Sequence, residues 1–158
     1  MTTAAAVHQL LLARGDTVAV AESLTGGLLA AALTDTAGAS ATFRGGLVVY
    51  ATDLKATLAA VPEPLLTSHG AVSAEVAAAL AAGARDRLGA TYGVGVTGVA
   101  GPDPQEGQPP GTVFVAVAGP GSGDVRRLTL AGDRPAVRTG AVDAAIGMLR
   151  DVLEASRG

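Results

Sequence analysis

The sequence predicts a three-layer α/β/α sandwich around a mixed, mostly parallel sheet. Short apolar runs rich in β-branched residues alternate with Ala/Leu-rich segments of helical spacing, which is the pattern of an α/β domain. A Gly/Pro-rich turn, too short for a helix, separates the strand at 112–118 from the next one, so part of the sheet is expected to be antiparallel. The chain has 158 residues, 49% of them hydrophobic, which is enough for one core. We therefore expect a single standalone domain over residues 1–158.

Each predicted helix combines apolar periodicity with a residue that caps or stops it. These helices cover residues 2–14 with Gly15 at the end, 25–36, 52–60 with Thr52 or Asp53 as cap and a stop at Pro62 and Pro64, 74–88 between Ser73 and Gly89, and 133–155. The predicted strands cover residues 17–21, 43–50, 94–97, 112–118 and 125–130. The last strand alternates apolar and polar residues, which is typical of a sheet edge.

Composition excludes several classes of function. Aromatic residues make up 3% of the chain and the formal net charge is −3, which argues against nucleic-acid and anionic-membrane binding. The absence of cysteine excludes disulfides and thiolate nucleophiles, and His8 and His69 match no zinc-ligand spacing. The first residues lack a basic segment, and no apolar run is long enough to cross a membrane. We expect a cytoplasmic protein that binds a small ligand.

The most informative segment is 21–27, Ala-Glu-Ser-Leu-Thr-Gly-Gly, where a predicted strand gives way to a helix. The first N–H groups of a helix lack intrahelical partners and suit a phosphate or an oxyanion. Ser23 in this position is either a simple helix cap or part of a site. The other glycine-rich run, residues 93–98, fits G-x-G-x-x-G but lies in a predicted strand, with Pro102 and Pro104 soon after it. We reject a dinucleotide site there and expect close backbone packing, with Thr97 available to a pocket.

Two further positions carry charge or acid–base potential. Tyr50 and Lys55 are separated by about one helical turn after a strand, which brings a phenol and an amine to one sheet edge. Lys55 is either an ordinary surface residue or a general base for serine, and the second role needs its pKa lowered from about 10.4 by burial or a nearby cation. At the start of the last helix, Arg134 or Arg138 could bind a phosphate.

Several motifs, in order along the chain, resemble the CinA C-terminal domain family. They comprise residues 21–27, Gly-Ala-Ser-Ala at 38–41, Tyr50 with Lys55, His-Gly-Ala-Val-Ser at 69–73, Val-Thr-Gly-Val-Ala-Gly-Pro at 96–102, Pro-Gly-Thr-Val at 110–113 and Gly-Asp-Arg at 132–134. The resemblance extends from about Val7 to Leu153. It departs from the usual pattern at Ala51-Thr52 and in the loop at 104–108, which lacks a common Gly-Gly.

The resemblance implies a serine/lysine amidohydrolase that converts nicotinamide mononucleotide and water into nicotinate mononucleotide and ammonia, in pyridine-nucleotide salvage. It implies no metal and no organic cofactor. The residues it assigns are Ser23 as nucleophile, Lys55 as its base and Tyr50 as a catalytic partner, with Thr25, Gly26, Gly27, Ser40, Thr97 and Arg134 as substrate-contacting groups. Ser40 is the rival nucleophile. Because cysteine is absent and histidine scarce, a Ser–Lys pair is one of the few remaining ways to attack a carboxamide.

Two alternatives stay open at this point. The altered loop at 104–108 fits an amidohydrolase for a different small amide. The same glycines and arginines also fit a non-catalytic nucleotide-binding or regulatory module, since function does not follow from fold alone. The Ala-rich helices further suggest a homo-oligomer of two or more chains.

Overall fold

The computed structural model describes residues 1–156, so the last two residues of the predicted 1–158 domain lie outside the described part. These described residues contain six α-helices: α1 (Thr3–Arg14), α2 (Leu28–Thr34), α3 (Thr52–Thr57), α4 (Glu63–His69), α5 (Ala74–Leu88) and α6 (Arg134–Ala155). The five strands are β1 (Val18–Glu22), β2 (Phe43–Val48), β3 (Tyr92–Gly98), β4 (Thr112–Gly119) and β5 (Ser122–Thr129). A short 3-10 helix, Ala39–Ala41, precedes β2.

All five strands form one sheet in the order β2-β1-β3-β4-β5. Strand β1 pairs in parallel with β2 and β3, whereas β4 pairs antiparallel with both β3 and β5. Four strands therefore run in one direction and β4 alone runs in the other, which confirms the predicted mixed, mostly parallel sheet. Strand β5 lies at the edge, as its alternating sequence indicated.

The two faces of the sheet carry different side chains because successive residues of a strand point to opposite sides. Val18 and Val20 of β1 belong to the core cluster that α1, α2 and α6 cover. Ala19 and Ala21 belong to the cluster on the other face, under α5 and beside α3 and α4. Helices thus cover both faces of the sheet, which gives the three layers.

Helix α5 lies unusually close to the sheet because β3 contains glycines on that face. A Cβ atom at Gly93 would lie 2.0 Å from the carbonyl oxygen of Ala81, and one at Gly95 would lie 2.4 Å from that of Ala77. The glycine-rich run is therefore a packing feature inside a strand, as predicted, and not a dinucleotide-binding loop.

Several predicted boundaries were wrong in informative ways. Residues 63–69 form a helix that the prolines had suggested was a loop, because Pro64 stands in the first turn, where a missing N–H costs nothing. Helix α3 begins after Ala51, and neither Thr52 nor Asp53 caps it. Helix α2 begins at Leu28 rather than at residue 25. The caps at Ser73 and Asp133 and the stops at Gly15 and Gly89 were predicted correctly.

The carboxyl ends of β1, β2 and β3 meet at one edge of the sheet, because these strands are parallel and adjacent. The loop 99–111 between β3 and β4 lies at the same edge. The catalytic side chains are therefore expected where the three strand ends converge.

No helix among the described residues is long and apolar enough to span a membrane.

Candidate active site

Ser23 and Lys55 reach the same point from two neighbouring strands. Ser23 directly follows β1, and its N–H donates to the carbonyl of Val96 on β3 at 3.0 Å. Lys55 lies in the first turn of α3, which begins shortly after β2 ends. Because β1 and β2 are adjacent and parallel, their ends bring the hydroxyl and the amine together although 32 residues separate them in sequence.

The Lys55 amine is buried and has three neighbours. Its Nζ lies 3.0 Å from Ser23 Oγ, 2.9 Å from the carbonyl oxygen of Val49 and 3.2 Å from that of Tyr50. Only 2% of the Lys55 surface and 8% of the Ser23 surface is exposed. A neutral amine has two N–H groups and one lone pair. The two carbonyls can accept both N–H groups, which leaves the lone pair for the hydroxyl proton of Ser23.

Burial changes the acid–base chemistry of this amine. Removal from water penalises the ammonium form and lowers the pKa of Lys55 below its ordinary value of 10.5, while the carboxylate of Glu106 opposes this effect and raises the pKa. Burial is the larger of the two causes, so the net shift is downward. A lysine of lowered pKa next to a hydroxyl is the arrangement that a general base for serine requires.

The pair opens into a cavity of about 340 Å³, within the range of small-ligand pockets. Its walls come from the end of β1, the start of α3, the segment before α5, the end of β3 and the loop that follows β3. The lining side chains include Ser23, Tyr50, Lys55, Thr97, Asp103, Gln105 and Arg134. Thr97 Oγ1 donates to the carbonyl of Ala71 at 2.7 Å, so this threonine also fixes the wall.

Tyr50 and Arg134 form one side of the cavity mouth. The guanidinium of Arg134 donates to the Tyr50 hydroxyl at 2.9 Å and to the Gly101 carbonyl at 2.7 Å. Tyr50 is 57% exposed, and Arg134 is exposed as well. A positive charge is thus held at the entrance, where it can meet an anionic substrate.

The turn after Ser23 is stabilised from within the protein. Glu22 is fully buried, and its carboxylate accepts hydrogen bonds from the N–H groups of Gly27, Leu29 and Ala30 at 3.2, 2.9 and 3.0 Å. The N–H of Gly26 donates to the Ser23 carbonyl. This differs from the expectation that N–H groups at the start of α2 bind substrate, because a side-chain anion already occupies them.

The structure does not bring every predicted residue to the cavity. Ser40 lies in the 3-10 helix before β2, at the opposite end of the sheet from Ser23. Thr25, Gly26 and Gly27 do not line the cavity, and Thr25 is fully buried. Arg138 donates to the carbonyls of Leu24 and Thr25, so it supports the turn, whereas Arg134 lines the cavity.

Two carboxylates that hold the site were not recognised from the sequence, nor was the fact that the chain has a single lysine. Glu22 and Glu106 were not singled out, because their partners are backbone N–H groups, which leave no pattern in the sequence. Lys55 is the single lysine of the chain, a signal that was available. In a chain with ten other basic residues that are all arginines, a lone lysine after a strand indicates a specific need for an amine that can lose its proton.

The described residues contain no group of three or more His, Asp or Glu side chains arranged to hold a metal ion.

The family model and the similar sequences all match one protein family. The model of the CinA C-terminal domain matches residues 1–153. A CinA-like protein of Frankia casuarinae is 57% identical over 144 residues, which are 91% of this chain and 33% of that protein. A putative competence-damage inducible protein of Desulforamulus reducens is 44% identical over 94% of this chain and 36% of its own length. The chain thus spans about a third of the length of these curated relatives.

Solved structures agree. The competence damage-inducible protein A (ComA) of Klebsiella pneumoniae superimposes with a TM-score of 0.95 at 35% identity, covering 98% of this chain and 97% of that one. The competence/damage inducible protein CihA of Agrobacterium tumefaciens gives a TM-score of 0.87 at 33% identity over 98% and 97% of the two chains. With sequence and fold matched over nearly its whole length, the chain belongs to the CinA C-terminal domain family.

Proposed function

We propose that this protein is an amidohydrolase that converts nicotinamide mononucleotide and water into nicotinate mononucleotide and ammonia. The observation that carries the proposal is the buried Lys55 amine, 3.0 Å from Ser23 Oγ, with two backbone carbonyls placed to take its N–H groups. Burial favours the neutral form of this amine, whose lone pair can accept the serine proton. This proton transfer gives an alcohol the nucleophilicity needed to attack a carboxamide.

The reaction proceeds in two halves. Ser23 Oγ attacks the carboxamide carbon while its proton passes to Lys55 Nζ, and a tetrahedral intermediate forms. Lys55 then gives the proton to the amide nitrogen, the C–N bond breaks, and ammonia leaves an acyl ester on Ser23. In the second half, Lys55 takes a proton from water, hydroxide adds to the ester carbon, and Ser23 Oγ leaves with the returned proton. The balance is one amide and one water in, one carboxylic acid and one ammonia out.

The oxyanion of the intermediate needs a donor close to Ser23. The N–H of Leu24 follows the nucleophile, and Leu24 lines the cavity. Within residues 1–156 this N–H donates to no protein acceptor, in contrast to those of Ser23 and Gly26. We assign the oxyanion contact to this group, since a free donor beside the nucleophile stabilises the charge that develops in the transition state.

The substrate assignment is supported by the family resemblance and by the charge at the cavity mouth. Arg134 offers a guanidinium to an anionic group such as the 5′-phosphate, and Tyr50 orients it through its hydroxyl. Thr97 lies on the wall, and the cavity volume suits a single small molecule. We place the reaction in the cytoplasm.

A second candidate is hydrolysis of a different small amide by the same Ser–Lys pair. Pro104 and Gln105 line the cavity in the loop that departs from the usual family pattern. Their side chains contribute to the shape of the pocket, which determines which amide fits.

The test is ammonia release from nicotinamide mononucleotide and from a panel of other carboxamides. We expect the mononucleotide to have the highest kcat/KM, and Ser23→Ala to lower its turnover about 10⁴-fold or more. Ser40→Ala is the matched control and should retain wild-type activity, because Ser40 lies at the far end of the sheet. Full release by Ser23→Ala contradicts the mechanism, while a better substrate in the panel selects the second candidate.

A non-catalytic nucleotide-binding or regulatory module is excluded by any turnover that depends on Ser23. Tight binding of the mononucleotide by well-folded protein without turnover would select that module instead.

We further propose that the protein assembles into a homo-oligomer of two or more chains. Leu28 and Val48 expose 41% and 47% of their surface beside the edge strand β2, an apolar area that a second copy would cover. Sedimentation velocity tests this.

A further inference from the structure

Glu106 occupies a special position in the loop between β3 and β4. The backbones of Gln105 and Gln108 pair with each other at 3.0 and 2.8 Å, and the two residues between them have positive φ, +52° for Glu106 and +73° for Gly107. Two successive left-handed residues make a tight hairpin turn. A glutamate in this conformation is unfavourable unless another interaction holds it there.

That interaction is with the segment between α4 and α5. The Glu106 carboxylate accepts hydrogen bonds from the N–H groups of Ala71 and Val72 at 3.1 and 3.4 Å. Gly70 leaves room for it, since a Cβ atom there would lie 2.2 Å from Glu106 Oε2. The loop and the segment are thus joined by a carboxylate that fits only beside a glycine.

The same segment forms a wall of the cavity. Ala71 and Val72 both line it, and the carbonyl of Ala71 accepts the hydroxyl of Thr97 on β3. Ala71 is therefore held by Glu106 on its N–H and by Thr97 on its carbonyl. Gln105, next to Glu106, lines the cavity from the loop. Loss of the Glu106 contact would release both the wall and the loop at once.

Glu106 also acts through its charge. Its negative charge opposes the effect of burial on Lys55 and raises the pKa of that amine. The ionisable side chains that line the cavity with Lys55 are Tyr50, Asp103 and Arg134. The neighbouring elements also carry Glu22 at the end of β1, Asp53 on α3, and the His69–Glu75 pair at the α4–α5 junction.

We propose that Glu106 is a positioning residue that fastens the 99–111 loop to the cavity wall at Ala71 and Val72 and so holds its carboxylate against the wall of the cavity that contains the Lys55 amine. Its effect on turnover rests on the function proposed above. Its effects on the wall and on the amine exist without substrate and can be measured separately. Glu106 thereby links the shape of the cavity to the proton affinity of its base.

The first measurement uses the fact that Lys55 is the single lysine. Isotope-labelled lysine gives one side-chain signal in NMR spectra, and its titration reports the proton affinity of Lys55 directly. We expect Glu106→Gln to move the titration midpoint to lower pH, since the removed charge favoured the ammonium. The shift should shrink at high salt, because Glu106 is exposed. Glu154→Gln, the same change at an exposed site on α6, should leave the midpoint unchanged.

The second measurement is amide hydrogen exchange at Ala71 and Val72. We expect Glu106→Ala to speed exchange of these two N–H groups about 10-fold or more, and Glu106→Gln to have a smaller effect because its oxygen still accepts. Glu106→Asp keeps the charge but has a shorter reach, so it should keep the Lys55 midpoint near that of the wild type while exchange speeds up.

Two results would overturn the proposal. One is a Lys55 midpoint in Glu106→Gln that coincides with those of the wild type and Glu154→Gln at low salt. The other is unchanged exchange at Ala71 and Val72 in Glu106→Ala. If the wild type releases no ammonia from the mononucleotide, the proposed function fails, yet both measurements still decide the role of Glu106.

Discussion

Lys55 combines two opposing demands in one side chain. Its amine must be near Ser23 to act as a base, and the burial that places it there destabilises its charged form. The carbonyls of Val49 and Tyr50 accept the two N–H groups of the neutral amine, and Ser23 Oγ accepts the third N–H of the ammonium form. An apolar side chain of the same length would be less costly to bury than this amine. Retention of a costly buried polar group is typical of functional sites.

This conflict predicts a specific pH dependence of stability. The pKa of Lys55 is lower in the folded than in the unfolded protein, where it is near 10.5. Between these two values the unfolded chain binds more protons, so the free energy of unfolding rises with pH. Lys55→Met should abolish ammonia release and remove this rise.

Urea denaturation of both proteins over a pH series measures the effect. Titrations that both proteins share cancel in the difference between them. The prediction fails if the difference in unfolding free energy between wild type and Lys55→Met is constant up to the ordinary lysine pKa.

At the residue scale, the sequence motifs identified five polar side chains that line the cavity. Ser23, Tyr50, Lys55, Thr97 and Arg134 were all named from motifs, and all five line one cavity. Ser40 could not be separated from Ser23, because both stand in short polar motifs and only the direction of the strands places them at opposite ends of the sheet. The residues next to Lys55 did not distinguish it from a surface lysine, since burial depends on what other segments cover, although its being the single lysine of the chain was an available signal.

At the scale of elements, the turn from β1 into α2 depends on Glu22. Its buried carboxylate accepts three N–H groups, two of them from the first turn of α2. The start of a helix carries partial positive charge, so an anion there is stabilising. The turn that presents Ser23 is in this way anchored by the residue directly before it.

We expect Glu22→Gln to lower the free energy of unfolding by about 1–3 kcal/mol, because a neutral amide makes weaker hydrogen bonds and has one fewer acceptor oxygen. Urea denaturation measures the loss. Glu154→Gln, exposed on α6, is the control and should change stability by less than about 0.5 kcal/mol. Equal stabilities of the two variants would show that Glu22 does not anchor the turn.

The elements themselves were predicted unequally. Helices α1, α5 and α6 have 12, 15 and 22 residues, and their caps marked their ends to within a residue or two. Helices α3 and α4 have six and seven residues, too few for periodicity to show. Pro62 and Pro64 fit the end of α3 and equally the start of α4, and the sequence alone does not distinguish these two roles.

At the scale of the whole molecule, the order of the strands was beyond the sequence. Strand β1 lies between β2 and β3. The two glycines that set the distance to α5 act through contacts with residues of another element, foremost Ala81 and Ala77. The sequence indicated close packing at Gly93 and Gly95 but not its partner. Local patterns define elements, whereas their neighbours depend on long-range burial.

The glycine contact predicts opposite effects of one substitution at two sites. Gly95→Ala places a Cβ atom 2.4 Å from the carbonyl oxygen of Ala77, so the free energy of unfolding should fall by about 3 kcal/mol or more. Gly147→Ala, within α6, meets nothing within 4 Å and should stabilise the protein by about 0.5–1 kcal/mol.

Urea denaturation of the two variants and the wild type makes the comparison. Similar stabilities of Gly95→Ala and the wild type would mean that α5 can move away from the sheet without loss.

The backbone contact between α5 and β3 also limits how the pocket can be redesigned. Accommodating a bulkier amide by shifting α5 would break this packing, since the carbonyls of Ala81 and Ala77 lie directly against Gly93 and Gly95. Pro104 and Gln105, in contrast, line the cavity with their side chains, while the neighbouring Glu106 holds their loop to the wall. Libraries intended to widen the substrate range should therefore vary Pro104 and Gln105, keep Glu106 and leave the helix–sheet contact intact.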